Sequence, residues 1–193
     1  MIQTPRLRLR DWQDADLPPF VRMNADPEVM AHFPAALDAQ ASRGLLARIR
    51  AHFDRHGFGL HALERRRDGC FLGFVGLSSV SFDAPFTPAI EIGWRMARHA
   101  WGQGYASEAA RAALQHGFGA LDLREIVSFT VPANRRSRAV MARIGMTRSP
   151  SEDFVHPGLG PAHPLGPHLL YRRRRAEDRA TPGNPGQANA DAD

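Results

Sequence analysis

The stretch RHAWGQGYASEA, residues 98–109, places Gly102 and Gly104 directly before an alanine-rich run with helical character. A strand-like apolar stretch lies upstream of it. The first turn of an α-helix leaves backbone N–H groups without acceptors and carries a partial positive charge. Glycines at that point let a phosphate approach these N–H groups without interference from Cβ atoms. The stretch therefore indicates either an anion-binding helix start or a tight strand-to-helix turn.

The hydrophobic pattern around this stretch predicts an α+β domain. The predicted strands occupy residues 6–12, 58–65, 71–80, 89–96, 125–131 and 167–173. The predicted helices occupy residues 14–24, 38–56, 105–121 and 134–144, and the first two start at Asp14 and Asp38. Three successive strands favour antiparallel pairing, and the strand–helix–strand unit around the glycine stretch predicts one parallel crossover. We expect a mixed sheet with helices on its faces.

Length and composition limit the number of domains and the expected cellular location. The 193 residues fit one domain, residues 1–175, followed by residues 176–193, which lack apolar periodicity and are expected to form a disordered tail. No run of about 18 apolar residues and no secretory leader is present, so we expect no membrane association. The single cysteine, Cys70, leaves no partner for an intramolecular disulfide or a cysteine-based zinc site, and a reducing cytoplasm is the expected location.

The charged residues exclude several nucleotide-binding chemistries. All 25 basic residues are arginine, so a lysine-dependent triphosphate loop and a Schiff-base lysine are excluded. A dinucleotide fingerprint, which Gly102, Gly104 and Ser107 nearly fit, normally opens a series of parallel strands, whereas three antiparallel-type strands come first here. Residues 1–175 hold 24 arginines against 16 acidic residues, which favours a polyanionic ligand such as a phosphorylated cofactor.

Several motifs in compatible order resemble the GNAT superfamily of acetyl-CoA-dependent acyltransferases, whose pyrophosphate loop has the pattern Q/R-x-x-G-x-G/A. The equivalent here runs from His99 to Gly104, and His99 departs from the usual Gln or Arg. The chain is most similar to the Rim-type branch, which resembles the N-terminal acetyltransferases of ribosomal proteins. The resemblance covers residues 2–175 and rests on the stretches TPRLRLRDW, NADPEVMAHFP, EIGWRM, HAWGQGYASEA, VPANRRSRAVMARIGM and HPLGPHLLYRR.

The resemblance implies a mostly antiparallel, twisted central sheet with a splayed strand pair, helices on both faces and acetyl-CoA as co-substrate. The pantetheine arm would lie along residues 92–96, and the pyrophosphate would bind the N–H groups of residues 102–106. Asn134 would bond the pantetheine, and Arg135, Arg136 and Arg138 would pair with phosphates. The cofactor-binding residues so expected are Trp94, Met96, His99, Gly102, Gln103, Gly104, Tyr105, Ala106, Asn134 and Arg138.

Acetyl transfer to an amine requires a base, a donor for the tetrahedral oxyanion and, less strictly, an acid for the leaving thiolate. Glu91, which precedes the cofactor strand segment, is the expected general base, although a strand carboxylate can equally form a surface ion pair. The backbone N–H near Met96 is the expected oxyanion donor. Ser137 matches the position proposed as general acid in this branch, although a serine in a first helical turn is otherwise a capping residue.

The expected function is N-acetylation of a primary amine, either a protein N-terminus or a small molecule. Two alternatives stay open: a non-catalytic acyl-CoA-binding sensor or scaffold, and an RNA- or ribosome-binding protein. Only charge supports the latter, so nucleic acid is not an expected partner. His156, His163 and His168 lie in and after a Pro/Gly loop without metal-ligand spacing, so no metal is expected, and His163 or His168 is a candidate for lining the acceptor pocket. The oligomeric state is left open, a homodimer included.

Overall fold

The computed structural model describes residues 1–175, so the expected disordered tail, residues 176–193, lies outside the described residues. The strands are β1 (Ile2–Gln3), β2 (Leu7–Arg10), β3 (Leu60–Arg65), β4 (Phe71–Ser79), β5 (Ile90–Met96), β6 (Glu125–Thr130), β7 (Thr147–Arg148), β8 (Phe154–Val155) and β9 (Pro167–Arg174). The α-helices are α1 (Leu17–Ala25), α2 (Ala39–His56), α3 (Tyr105–Gly119) and α4 (Arg135–Arg143). The predicted α+β class is confirmed.

The strands form a mixed, mostly antiparallel sheet in the order β1-β2-β3-β4-β5-β6-β9-β7, with β8 paired to β9. Only β5 and β6 run parallel among the described strand pairs. Helix α3 connects these two strands, as the predicted crossover requires. The single parallel pair therefore lies directly beside the glycine stretch that precedes α3.

Helices cover both faces of the sheet because apolar residues alternate along the strands. On one face, Leu72, Val75 and Ile92 pack with buried residues of α3 and α4 such as Leu114 and Met141. On the other face, a second cluster joins sheet residues to α1 and α2; its buried members are Trp12, Phe20, Met23, Val29, Met30, Leu46, Ile49, Ala62, Phe71, Phe74 and Ala97. Side chains on one face of β5 therefore point toward α3 and α4, and those on the other face point toward α1 and α2.

The start of α1 differs from the prediction. Residues 14–16 form a 3₁₀ turn and the α-helix begins at Leu17, so Asp14 does not cap it. Pro18 and Pro19 occupy the first turn, where a missing N–H costs nothing. Asp14 instead accepts a bond from Arg50 at 2.9 Å. The second capping prediction is confirmed, since Asp38 accepts the Ala41 N–H at 2.7 Å at the start of α2.

Strands β5 and β6 separate almost immediately. Their register contains one pair, Glu91 with Val127, although β5 pairs with β4 from Ile90 to Met96. Strand β6 meanwhile pairs with β9 along its whole length. The expected splayed strand pair is therefore present, and the gap opens beside the second half of β5.

Candidate active site

A cavity of about 1340 Å³ runs through the gap between β5 and β6. On the α3 and α4 face it reaches Gly104 and Asn134, and on the α1 and α2 face it reaches Glu91 and Phe33. This volume exceeds the roughly 300–1,000 Å³ typical of a single small-molecule pocket. The cavity is thus large enough for two reactants that approach from opposite faces of the sheet.

The glycine stretch forms the entrance to α3. Gly102 and Gly104 have φ angles of 74° and 78°, the left-handed region that side chains with a Cβ rarely adopt. Glu108 is the first residue whose N–H bonds back along the helix, to the Gly104 carbonyl at 3.1 Å. The N–H groups of residues 105–107 precede it and have no acceptor within the helix. The stretch is therefore both a turn that requires the left-handed conformation at two residues and a helix start with free N–H groups, which is the arrangement that anion binding requires.

Contacts from outside the loop hold this helix start in place. Trp101 Nε1 donates to the Met96 carbonyl at 2.9 Å, which ties the loop to the end of β5. Arg6 donates to the Gln103 carbonyl at 3.0 Å and pairs with Glu108 at 2.6 Å. The helix start is therefore fixed to β5 and to the segment before β2, which reduces the ordering cost of binding.

The edge of β5 that faces the gap carries free backbone groups. Ala97 donates to the Leu72 carbonyl and Val80 to the Ala89 carbonyl, so odd-numbered residues of this strand bond to β4. Because bonding direction alternates along an antiparallel strand, the N–H groups of Trp94 and Met96 face the gap. The strand edge is thus able to accept another extended chain, such as a pantetheine arm.

Glu91 lies at the point where the gap begins. It is half-buried and lines the cavity, and its carboxyl group has neither a hydrogen bond nor an ion pair with any other residue within the described part of the chain. Burial raises the pKa of its carboxyl group to about 8. A carboxyl group with that pKa exchanges protons near neutral pH, as a general base must.

Ser137 and Asn134 lie together at the start of α4 and both line the cavity. Asn134 is the N-cap: its Oδ1 accepts the Ser137 N–H at 3.1 Å, and its Nδ2 donates to Thr130 Oγ1 at 3.1 Å. This leaves one Asn134 amide hydrogen and one oxygen lone pair for a ligand. Asn134, and not Ser137, therefore caps the start of α4, and the Ser137 hydroxyl is available to the cavity.

The structure does not bring every expected cofactor residue to the cavity. Seven of the expected cofactor-binding residues line it, namely Trp94, Met96, Gly102, Gly104, Tyr105, Ala106 and Asn134. The two expected catalytic residues, Glu91 and Ser137, also line it. His99 lies beside Cys70, with 3.7 Å between Nε2 and Sγ, and Gln103 bonds the His99 carbonyl. Arg138 turns to the Pro132 carbonyl at 3.0 Å, whereas Arg135, Arg136 and Arg143 face the cavity. The phase of α4, which determines this choice, was not readable from the sequence.

The α1 face of the cavity contains Arg95, Phe33 and His32, which the sequence patterns did not single out. His32 and Phe33 belong to the segment that follows α1, and the guanidinium carbon of Arg95 lies 4.2 Å from the centroid of the Phe33 ring. Phe129, His156 and His168 also line the cavity, and their rings pack in one cluster with those of Phe82, Phe86 and Phe154. Burial lowers the pKa of His156 and of His168. Of the two expected acceptor-pocket histidines, His168 lines the cavity and His163 does not.

Two negative findings apply to the described residues. Within residues 1–175, no group of three or more His, Cys, Asp or Glu side chains is arranged to hold a metal ion. None of the helices in this part of the chain combines the length and apolarity needed to cross a membrane.

The family model for the acetyltransferase (GNAT) domain matches residues 6–147. The chain belongs to the GNAT family. Among its relatives, the uncharacterized protein YkkB of Bacillus subtilis (strain 168) is 33% identical over 144 residues, which are 74% of this chain and 83% of YkkB. GNAT membership makes this chain an acyltransferase whose acetyl donor is acetyl-CoA. The open space beside Gly102, where no atom lies within 4 Å of the position that a Cβ would occupy, fits a phosphate at the helix start.

Solved GNAT structures share this architecture. The acetyltransferase from Agrobacterium tumefaciens str. C58 is 30% identical, has a TM-score of 0.73 and aligns over 90% of this chain and 94% of its own. Mycobacterium smegmatis RimJ, solved in complex with CoA-disulfide, is 23% identical with a TM-score of 0.70 over 91% of this chain and 84% of its own. The likeness to RimJ shows a common fold.

Proposed function

We propose that the chain transfers an acetyl group from acetyl-CoA to a primary amine by direct attack on the thioester. The observation that carries this proposal is the continuous cavity between the start of α3 and Glu91. It crosses the sheet where β5 and β6 have one register pair only. A donor on the α3 face and an acceptor on the α1 face can therefore meet at the gap.

The donor side of the proposal rests on backbone groups. The pyrophosphate binds the N–H groups at the start of α3, between Gly102 and Ala106, and the pantetheine arm lies along Trp94 and Met96. Arg135 and Arg136 line the same end of the cavity and supply positive charge to the phosphates. Asn134 offers its remaining amide hydrogen to the pantetheine.

The chemical step follows from three groups around the gap. Glu91 removes a proton from the acceptor ammonium, directly or through a water molecule, and the freed nitrogen forms a bond to the thioester carbon. The gap-facing N–H of Trp94 lies about 10 Å along the strand from Glu91, against about 16 Å for Met96, so it donates to the oxyanion and the Met96 N–H is left to the pantetheine arm. The C–S bond then breaks, the bonded nitrogen releases its second proton to solvent, and Ser137 protonates the departing thiolate and is itself reprotonated from solvent. Because a thiolate is a good leaving group, loss of Ser137 should slow turnover without abolishing it.

The acceptor class is a second part of the proposal. We place the chain in the Rim-type branch, with a protein N-terminus or a small-molecule amine as acceptor; the sequence motifs support this placement. A non-catalytic acyl-CoA sensor would use the same donor contacts but would have no need for a carboxyl group with a raised pKa at the gap. Glu91 therefore favours an enzyme.

The test is a CoA-release assay with acetyl-CoA and a panel of amines and short peptides, combined with calorimetric measurement of acetyl-CoA binding. We expect CoA release that depends on the acceptor and saturates with it. Tight acetyl-CoA binding without CoA release on any acceptor would instead favour the sensor.

A further inference from the structure

We propose that the acceptor amine carries a carboxylate group and that Arg95 binds this carboxylate. The inference rests on the proposed function, N-acetylation in this cavity, and names the substrate class. It is carried by the placement of three residues on one face of β5 and by the surroundings of the Arg95 guanidinium.

Glu91, Gly93 and Arg95 are alternate residues of β5, so they share the face that looks toward α1 and α2. All three line the cavity. At a rise of about 3.3 Å per residue, the Cα atoms of Glu91 and Arg95 lie roughly 13 Å apart. Gly93 between them has no side chain, and the nearest atom to a Cβ built there is Glu91 Oε1 at 3.8 Å. This face of β5 thus presents in sequence the carboxyl group of Glu91, a position without a side chain at Gly93, and the guanidinium of Arg95.

The guanidinium of Arg95 is held firmly but lacks a counter-ion. Its Nη1 donates to Asn24 Oδ1 at 2.7 Å, and its central carbon lies 4.2 Å from the centroid of the Phe33 ring. Its Nε is buried without a hydrogen-bond partner, and no acidic residue of the described chain forms an ion pair with Arg95. Burial lowers the pKa of Arg95 to about 10, so the side chain remains charged at neutral pH.

A buried cation without an anion is unfavourable, and a carboxylate ligand would offset this cost. The planar guanidinium has parallel N–H donors that match the two oxygens of a carboxylate. Because Asn24 and Phe33 already fix the side chain, little additional ordering is needed when a ligand binds.

The other charges of the cavity agree with an anionic acceptor. Glu28 pairs with Arg98, and Glu108 pairs with Arg6, so both carboxylates already have partners. A polycationic acceptor would find only Glu91 without a partner among the cavity acids of residues 1–175. Among the α4 arginines that line the cavity, Arg136 lies over the Trp101 ring, 4.2 Å from its centroid.

The test compares amino acids with their carboxamides, which have nearly the same shape but no negative charge. The probes are glycine, 4-aminobutanoate, 6-aminohexanoate and L-phenylalanine, each with its carboxamide, and the readout is kcat/KM for CoA release. We expect the wild-type protein to prefer at least one acid over its amide by about tenfold to a hundredfold, the size of a charged hydrogen bond. Arg95→Met should bring that ratio close to one, and Arg95→Lys should retain part of it.

Two controls separate ligand binding from a structural function of Arg95. Arg48→Met removes an exposed arginine from α2 and should leave the acid-to-amide ratio unchanged. Acetyl-CoA affinity should be the same in wild type and both Arg95 variants, because Arg95 lies on the acceptor face. If Arg95→Met does not fold, the wild-type ratio and Arg95→Lys decide the question.

Three outcomes would overturn the inference. Equal kcat/KM for every acid and amide pair in the wild type would show that no carboxylate is recognised. Equal losses for acid and amide in Arg95→Met, with an unchanged ratio, would show that Arg95 only positions Asn24 and Phe33. Acetyl-CoA binding without acetylation of any probe or of any member of the amine panel would contradict the proposed function itself, and is thereby distinguished from failure of the inference alone.

Discussion

Ser128 Oγ donates a 2.9 Å hydrogen bond to the carbonyl oxygen of Ile92, at the point where β5 and β6 separate. Ser128 is 2% exposed and Ile92 is 0% exposed. The one register pair of these strands, Glu91 with Val127, lies immediately before. The serine hydroxyl therefore satisfies a buried carbonyl that the diverging strand no longer reaches, and the gap opens without an unpaired polar group at its base.

Ser128→Ala should lower the free energy of unfolding by about 1–2 kcal/mol, because the buried Ile92 carbonyl loses its donor. Urea denaturation of the protein without ligand measures this change. Ser151→Ala is the matched control, since Ser151 is exposed and its hydroxyl bonds only the hydroxyl of Ser149, at the protein surface. Equal stability of the two variants would contradict this description of the gap.

Gly104→Ala should weaken acetyl-CoA binding, because its φ of 78° is strained for alanine and any relaxation moves the start of α3. The control is Gly57→Ala, whose φ of 73° lies at the end of α2, away from the cavity. Both changes should cost about 1–2 kcal/mol of stability. Only Gly104→Ala should raise the dissociation constant for acetyl-CoA measured by calorimetry. Unchanged affinity in this variant would show that the start of α3 does not bind the pyrophosphate.

Arg136→Gln should weaken acetyl-CoA binding several-fold and reduce its dependence on salt, because Arg136 lines the donor end of the cavity. Arg138→Gln, on the same helix, should leave the affinity unchanged, since Arg138 bonds the Pro132 carbonyl outside the cavity. Binding isotherms at low and high salt provide the comparison. The reverse order of effects would place the phosphate contact at Arg138, in agreement with the sequence pattern.

The rate ratio of wild type to Glu91→Gln should rise with pH. Glu91 acts as a base only when ionised, and burial raises its pKa to about 8. Below that pH the ionised fraction, and with it the ratio, should rise about tenfold per unit, before levelling off above it. Measuring kcat/KM of both proteins with the same acceptor cancels the titration of the amine. A ratio that does not change between pH 6 and 9 would exclude Glu91 as the base.

The same raised pKa predicts a pH-dependent stability. Between the ordinary glutamate value of 4.5 and about 8, the folded protein binds more protons at Glu91 than the unfolded chain does. Stability must therefore fall as pH rises through this range. The Glu91→Gln variant cannot ionise at this position. Its free energy of unfolding at pH 9 should therefore exceed that of the wild type by at least about 1 kcal/mol, which corresponds to roughly 3 °C in Tm. At pH 4 this advantage should vanish, and thermal melts at the two pH values provide the measurement.

The sequence predicted those features that depend on short-range patterns. The long strands, the crossover helix and the cap at Asp38 were recovered because periodicity and capping chemistry determine them locally. Strands β1, β7 and β8 were missed because each has two residues and exists only through pairing with a distant partner. Asp14 was misread as a cap because it belongs to a 3₁₀ turn that precedes the two prolines of α1.

In the candidate site, too, the features set by local sequence were predictable and those set by distant contacts were not. The helix start at Gly102 and Gly104 was predictable because two glycines directly before a helical run are a local sequence pattern that indicates a left-handed turn. The choice between Arg136 and Arg138 depends on how α4 is rotated against the sheet, which periodicity alone does not set. Arg95 was overlooked because its importance comes from Asn24 and Phe33, which lie far away in the chain. The alternation of Glu91, Gly93 and Arg95 was visible, but which face would meet the acceptor was not.

The most direct test of acetyl transfer in this cavity is to follow the acetyl group itself. Acetyl-CoA labelled with ¹³C at the acetyl carbonyl is incubated with the protein and an acceptor from the amine panel, and carbon NMR is recorded over time. We expect the thioester signal to be replaced by an amide signal on the acceptor, in equal amount to the CoA released, and this conversion to be slowed in Glu91→Gln. A thioester signal that persists while acetyl-CoA is demonstrably bound, or that converts only to free acetate, would contradict direct transfer to an amine.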